Sequence, residues 1–221
     1  MERKNPDSQQ QHWQNTFSEN PDLFGNYPSD PARKAAELFQ REGKTRVLEL
    51  GCGQGRDTIY FARNGFHVDA LDYSVTGIEA VDRKAAALAL SHEIVARTHD
   101  IRHPLPFGEE TFDACYSHML FCMALTTAQL QCLSKEIRRV LKRDGLSIYT
   151  VRHFGDAHYQ KGMHRGEDMY EVDGFIVHFF NRDKVKLLAE GYEIVAIDEF
   201  DEGLLPRKLF RVTLRKARVR C

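Results

Sequence analysis

The chain has 221 residues, 42% of them hydrophobic, with a formal net charge of −1: enough to build one ordinary globular core, with no excess of positive charge to track a nucleic-acid backbone. Five cysteines, Cys52, Cys115, Cys122, Cys132 and Cys221, form no C-x-x-C pair, which argues against a disulfide framework or structural zinc and for a reducing, cytoplasmic setting. Neither an apolar leader nor an 18-residue apolar run is present, so no secretion signal and no membrane span are expected.

Residues 1 to about 28 are polar with scattered aromatics, Trp13, Phe17, Phe24 and Tyr27, the composition of an arm that docks or forms a lid; residues 29–221 are expected to form a single domain. Asp30 as N-cap, Pro31 at the first position and Gly43 as the stop frame a helix over 31–42. The run Arg46 to Leu50 predicts a first strand, followed at once by Gly51-Cys52-Gly53-Gln54-Gly55. A short helix over 56–64 closes at Asn64-Gly65, and a second strand over 66–71 ends at Asp72. Thr76-Gly77-Ile78-Glu79 offers a capping box for the next helix, whose core face is Ile78, Val81, Ala85 and Leu88. A third strand, Glu93 to Thr98, runs into His99-Asp100. A fourth, Phe112 to Ser117, precedes a helix with Leu130, Leu133, Ile137, Val140 and Leu141 on its core face, ending at Asp144-Gly145. The fifth strand is Leu146 to Val151. Arg152 to Tyr170 read as a long functional loop, and Asn181 caps a helix that stops at Gly191. Tyr192 to Asp198 and Lys208 to Leu214 close the pattern as a hairpin, and the basic run from Arg215 to Arg220 reads as a solvated tail.

Strands alternating with helices imply a mostly parallel sheet covered on both faces, with ligands at the carboxyl ends of the strands. Bare glycine main chain at the mouth of the first strand lets a ligand approach closely. Asp72, twenty-one residues beyond Gly51, presents a carboxylate to ribose hydroxyls. The dinucleotide pattern G-x-G-x-x-G is not met, because its third position is Arg56 and glycine comes one residue early at Gly55.

The run Leu48-Glu49-Leu50-Gly51-Cys52-Gly53-Gln54-Gly55-Arg56 resembles motif I of the class I S-adenosylmethionine-dependent methyltransferases, and Leu71-Asp72-Tyr73-Ser74 resembles their acidic ribose motif. The resemblance implies an α/β, Rossmann-like, doubly wound sheet of seven strands, mostly parallel with an antiparallel last strand, in the order 3-2-1-4-5-7-6. It also implies S-adenosylmethionine as cofactor. Gly51, Cys52, Gly53 and Gly55 would border the methionyl part, with Glu49 drawing its ammonium. Asp72 would accept from the ribose, Tyr73 cover one adenine face, Asp100 and Ile101 hold the adenine, and Ser117 and His118 border the methionyl side. Cys52, small and between glycines, is expected to pack rather than react.

Together with Ala62-Arg63-Asn64-Gly65-Phe66-His67-Val68, the glycine motif looks like that of the tellurite-resistance and thiopurine-methyltransferase-like group. That likeness implies a small soluble acceptor, a thiol or metalloid anion. Ser117-His118-Met119-Leu120 stands where an Asn-Pro-Pro-Tyr motif would, which weighs against methylation of a nucleobase amine or glutamine amide. His153, His158 and His164 in the long loop are the candidate acid–base groups for the acceptor, since an imidazole titrates near neutral pH. No two histidines have the H-x-x-x-H spacing of a helical metal site, so no metal is expected. Two alternatives stand beside methyl transfer: a nicotinamide-dependent oxidoreductase, and a non-catalytic S-adenosylmethionine-binding sensor or scaffold.

Overall fold

The structure, a computed structural model, describes residues 7–203 and 207–217. The chain divides into two compact units, residues 1–101 and 102–221.

The first unit contains α1 (Asp7–Glu19), α2 (Asp30–Arg41), β1 (Arg46–Leu50), α3 (Arg56–Arg63), β2 (His67–Asp72), α4 (Val75–Ala87) and β3 (Ile94–Thr98). β1, β2 and β3 pair in parallel, with Leu50 opposite Leu71 and Asp72 opposite Thr98. β1 and β2 are buried along almost their whole length, as parallel strands covered by helices are. Phe39 of α2, Phe61 of α3 and Phe66 meet at ring separations of 5.8–6.1 Å, which seats α2 and α3 on one another. α4 starts at a different cap from the expected one. Ser74, not Thr76, accepts from the Gly77 N–H at 3.1 Å, because the Asp72 carboxylate draws in the Ser74 N–H and turns the chain two residues earlier. The polar arm is helical over α1 and packs against α4.

The second unit contains β4 (Phe112–His118), α5 (Thr127–Val140), β5 (Leu141–Arg152), β6 (Met163–His164), β7 (Met169–Val172), β8 (Phe175–His178), α6 (Arg182–Leu188), β9 (Tyr192–Glu202) and β10 (Arg207–Lys216). β4 and β5 are parallel, and β10 runs antiparallel to both β5 and β9. The strand order is β3-β2-β1-β4-β5-β10-β9 in one seven-stranded sheet, the expected doubly wound arrangement with its antiparallel final strand. α5 opens on a complete capping box, Thr126 with Gln129. It ends at Val140, short of Asp144-Gly145, because Leu141 is already extended at ψ 136° and pairs with Phe112.

The expected long loop is partly ordered into a second sheet, β6-β7-β8. Asp173 and Gly174 turn its hairpin with φ of 52° and 84°, the paired positive values of a tight two-residue turn. The basic tail also changes character. Arg215 and Lys216 belong to β10, where Arg215 donates to the Asp144 carbonyl and Lys216 to that of Leu141; residues 218–221 lie outside the described residues. Among the described residues no helix is long and apolar enough to cross a membrane.

Candidate functional site

The glycine turn follows β1 with φ of 70°, 53° and 82° at Gly51, Gly53 and Gly55, a left-handed run that side chains resist. Two of the unit's glycines admit protein at close range. A Cβ on Gly55 would stand 2.8 Å from Val81 Cγ2, and one on Gly77 would stand 2.8 Å from the Gly53 carbonyl oxygen. The turn's amides are also spent internally. Gly51 N and Cys52 N donate to the Leu71 carbonyl at 2.7 and 3.2 Å, Gly55 N to that of Cys52 at 2.9 Å, and Gly53 N to Asp72 Oδ2 at 2.9 Å.

What the turn borders instead is a pair of buried carboxyl groups. Glu49, on β1 and only 3% exposed, accepts a 2.5 Å hydrogen bond from the Thr58 hydroxyl. Burial, then the nearby Asp57, push its carboxyl up to about 8, against the opposing pull of Thr58 and Arg56. Asp72, 7% exposed, accepts from Gly53 N and from Ser74 N at 2.8 Å. Burial raises its pKa too, and the amide hydrogen bonds offset only part of that shift. Among the described residues neither carboxylate has an ion-pair partner. Cys52 is buried, and burial likewise holds its thiol well above its usual range, as for a thiol packed in apolar surroundings.

Tyr73 is half-buried and occupied by the arm: its hydroxyl donates to the Gln9 carbonyl at 3.3 Å and its own carbonyl accepts from Gln10 at 2.8 Å. Asp100 and Ile101 lie just past β3, half-buried, on a segment tied to the end of β2 by His99 N donating to the Asp72 carbonyl at 2.8 Å. Thr58 and Gln54 escaped the sequence reading. Thr58 is the hydrogen-bond donor to Glu49, and Gln54 Nε2 donates to the Asn20 carbonyl while its Oε1 accepts from Leu23 N.

In the second unit, Ser117, the last residue but one of β4, has its hydroxyl buried and without a hydrogen-bond partner. His118 beside it is fixed at both nitrogens, Nδ1 by the Thr150 hydroxyl at 2.9 Å and Nε2 by Glu202 at 3.3 Å. The three loop histidines stand in three separate settings. His153 stacks on Phe210 at 4.4 Å, and its Nδ1 accepts from Gly155 N. His158 Nδ1 faces the Arg152 guanidinium at 2.9 Å, a group that only donates. His164 Nε2 faces the Glu167 carbonyl at 2.8 Å, an acceptor. In their neutral forms His153 and His158 therefore carry the proton on Nε2 with Nδ1 engaged, whereas His164 keeps a free Nδ1 lone pair. Among the described residues no three His, Cys, Asp or Glu side chains are grouped to hold a metal.

Residues 47–145 match the family described as a methyltransferase domain. The chain is 30% identical over 108 residues to an uncharacterized methyltransferase of Synechocystis sp., covering 49% of this chain and 47% of that protein. It spans about half the length of the first curated relatives it matches. Its fold is shared with the Burkholderia thailandensis 1,6-didemethyltoxoflavin-N1-methyltransferase, solved with its substrate and S-adenosylhomocysteine (TM-score 0.74, 18% identity, 96% of this chain and 88% of that one). It is shared too with TehB from Haemophilus influenzae (TM-score 0.67, 18% identity, 93% and 67%). The chain is thus similar to methyltransferases over residues 47–145 and shares their fold, with the strand order β3-β2-β1-β4-β5-β10-β9.

Proposed function

We propose that this protein transfers a methyl group from S-adenosylmethionine to a small soluble acceptor of the thiol or metalloid-anion class. The observation that carries the reading is the pairing of spent amides with unpaired acids. A turn that cradles pyrophosphate needs free N–H donors, and here Gly51, Cys52, Gly53 and Gly55 have given theirs away. Glu49 and Asp72, buried and without an ion-pair partner among the described residues, suit an ammonium and a ribose diol better than a phosphate. The nicotinamide alternative is disfavoured on the same ground. The acceptor class rests on the motif likeness to the tellurite-resistance and thiopurine group, with the fold likeness to TehB beside it.

When bound, S-adenosylmethionine would supply an electrophilic methyl on a sulfonium, whose C–S bond breaks to a neutral thioether as the methyl carbon bonds to the acceptor. The protein's part is placement and exclusion of water, which can contribute up to ~7–11 kcal/mol to such a displacement. Glu49 would hold the ammonium and would lose its proton to solvent on loading, because burial pushes its carboxyl up to about 8. Asp72 keeps its two amide bonds and offers its remaining lone pairs to the ribose hydroxyls. Ser117, with its hydroxyl unsatisfied, is kept for a ligand atom. Of the loop histidines, His164 is the one able to accept an acceptor's proton, on Nδ1.

Calorimetry tests the donor half. S-adenosylhomocysteine should bind with uptake of that proton by buffer, detectable in buffers of different ionisation enthalpy, and NAD should not bind. Binding of NAD alone overturns the reading. Labelled S-adenosylmethionine with a panel of thiols, metalloid anions, phenols and amines tests the acceptor half. Label in thiols or metalloid anions supports it, label only in phenols or amines replaces the acceptor class, and no label in any acceptor leaves the sensor reading.

A further inference from the structure

The polar arm is seated on the very groups assigned above to the donor. In α1, among residues 9–19, only Gln9 and Phe17 are buried. Phe17, 4% exposed, lies against Gly53, where an added Cβ would stand 3.4 Å from its ring. Gln10 donates to the Tyr73 carbonyl at 2.8 Å, and Gln14 accepts from the Ser74 hydroxyl at 2.8 Å. Asp72 is the residue before Tyr73 and takes its hydrogen bonds from Gly53 N and Ser74 N. The arm therefore grips the two residues that follow the ribose carboxylate, Tyr73 through the Gln10 amide N–H and Ser74, the cap of α4, through the Gln14 amide oxygen.

The base of the arm is held differently. Gln54 clamps the Asn20 carbonyl and Leu23 N, and Lys84 lies 3.6 Å from Asp22. Gly25 follows in a left-handed conformation with open space around it. A helix of this length is marginal when isolated, and α1 adds little apolar burial of its own. It is the kind of element that opens locally while the rest of the fold stays intact.

We propose that α1 is a gate over the donor site: it pivots about the clamped segment 20–24, lifts from Gly53 and Tyr73-Ser74 so that donor and product can exchange, and reseats on the loaded site. The proposal rests on the donor reading above. Its energetic logic is that the seated arm and the Asp72 turn both hold Ser74, the arm by its hydroxyl and Asp72 by its amide, so a ligand that orders the turn also favours the seated arm.

The single tryptophan of the chain, Trp13, sits in α1 with ring centres 5.3 Å from Phe17 and 6.4 Å from Phe24, and it reports the motion directly. Stopped-flow mixing with S-adenosylhomocysteine should change its emission, with a phase whose rate levels off at high ligand as gate opening becomes limiting. Gln10→Ala with Gln14→Ala removes two arm anchors and no group assigned to the donor. Association and release should each quicken by about threefold or more in that variant, as expected for the loss of two modest hydrogen bonds. In the unaltered chain, amide exchange over α1 should slow when S-adenosylhomocysteine is added, which tests the gate even if the double variant does not fold. Calorimetric binding with unchanged emission, rates and α1 exchange overturns the gate and leaves the donor reading standing. No calorimetric binding to the unaltered chain overturns both.

Discussion

In the second unit the buried Asp156 faces the Arg152 guanidinium at 2.5 and 2.9 Å and also accepts from His158 N and Lys208 N. Burial opposes its ionisation, but these partners outweigh burial and hold it below the usual carboxylate range. In the first unit the equally buried Glu49 and Asp72 meet only hydroxyl and amide donors, and both sit above that range. The contrast separates charges that hold a fold from charges held for a visitor. A paired buried carboxylate is a structural group, whereas one left without its cation costs stability and marks a place where a positive ligand is expected.

That contrast can be broken most sharply at Asp156. Asp156→Ala strands the Arg152 guanidinium, and about 3–5 kcal/mol of stability should be lost, measured by denaturant unfolding, with donor affinity per folded molecule unchanged. A mild loss would mean that Arg152 finds another partner. Asp72→Asn should do the reverse, leaving stability nearly intact while weakening S-adenosylhomocysteine binding by about 1.5–3 kcal/mol, roughly tenfold to a hundredfold. Equal affinity would take Asp72 out of the donor site.

Glu49 sharpens the comparison through pH. Its folded pKa, about 8, lies above the unfolded value of 4.5, so the folded state holds the proton more tightly. Between those values stability should fall as pH rises, by ~1.4 kcal/mol per unit. Glu49→Gln should remove that slope and melt higher than the unaltered chain at pH 8, and parallel melting curves against pH would sink the assignment. His178 of the second unit gives the smallest effect. Burial, then the Lys184 ammonium at Nε2, hold its pKa below 6.5, so its neutral ring stabilises the folded state and that stability is lost as pH falls below 6.5. Amide exchange over β8 should quicken below pH 6, with little change over β1 and β2.

Much of the first unit was legible because its signals are local. The run Leu48 to Arg56 and the acid at 72 announce the turn, and the buried strands β1 and β2 fall within a residue of expectation. What escaped depended on residues far apart in sequence. Ser74 displaced Thr76 as cap because a carboxylate two residues upstream claimed its amide. Gly53, taken as room for a ligand, is room for Phe17, which lies thirty-six residues earlier. In the second unit the hairpin β7–β8 turns at Val172-Asp173-Gly174-Phe175, an Asp-Gly turn signal just past the loop expected over Arg152 to Tyr170. No sequence signal distinguishes His164 from His153 and His158. Their difference lies in whether a ring nitrogen meets a donor or an acceptor in the folded chain.

The glycine at 77 has its counterpart in the carbonyl of Gly53, which would lie 2.8 Å from any added Cβ. The glycine turn is thus moulded from behind by α4. Retuning donor preference could begin on that hidden side, where one methyl group on α4 would shift the whole rim at once.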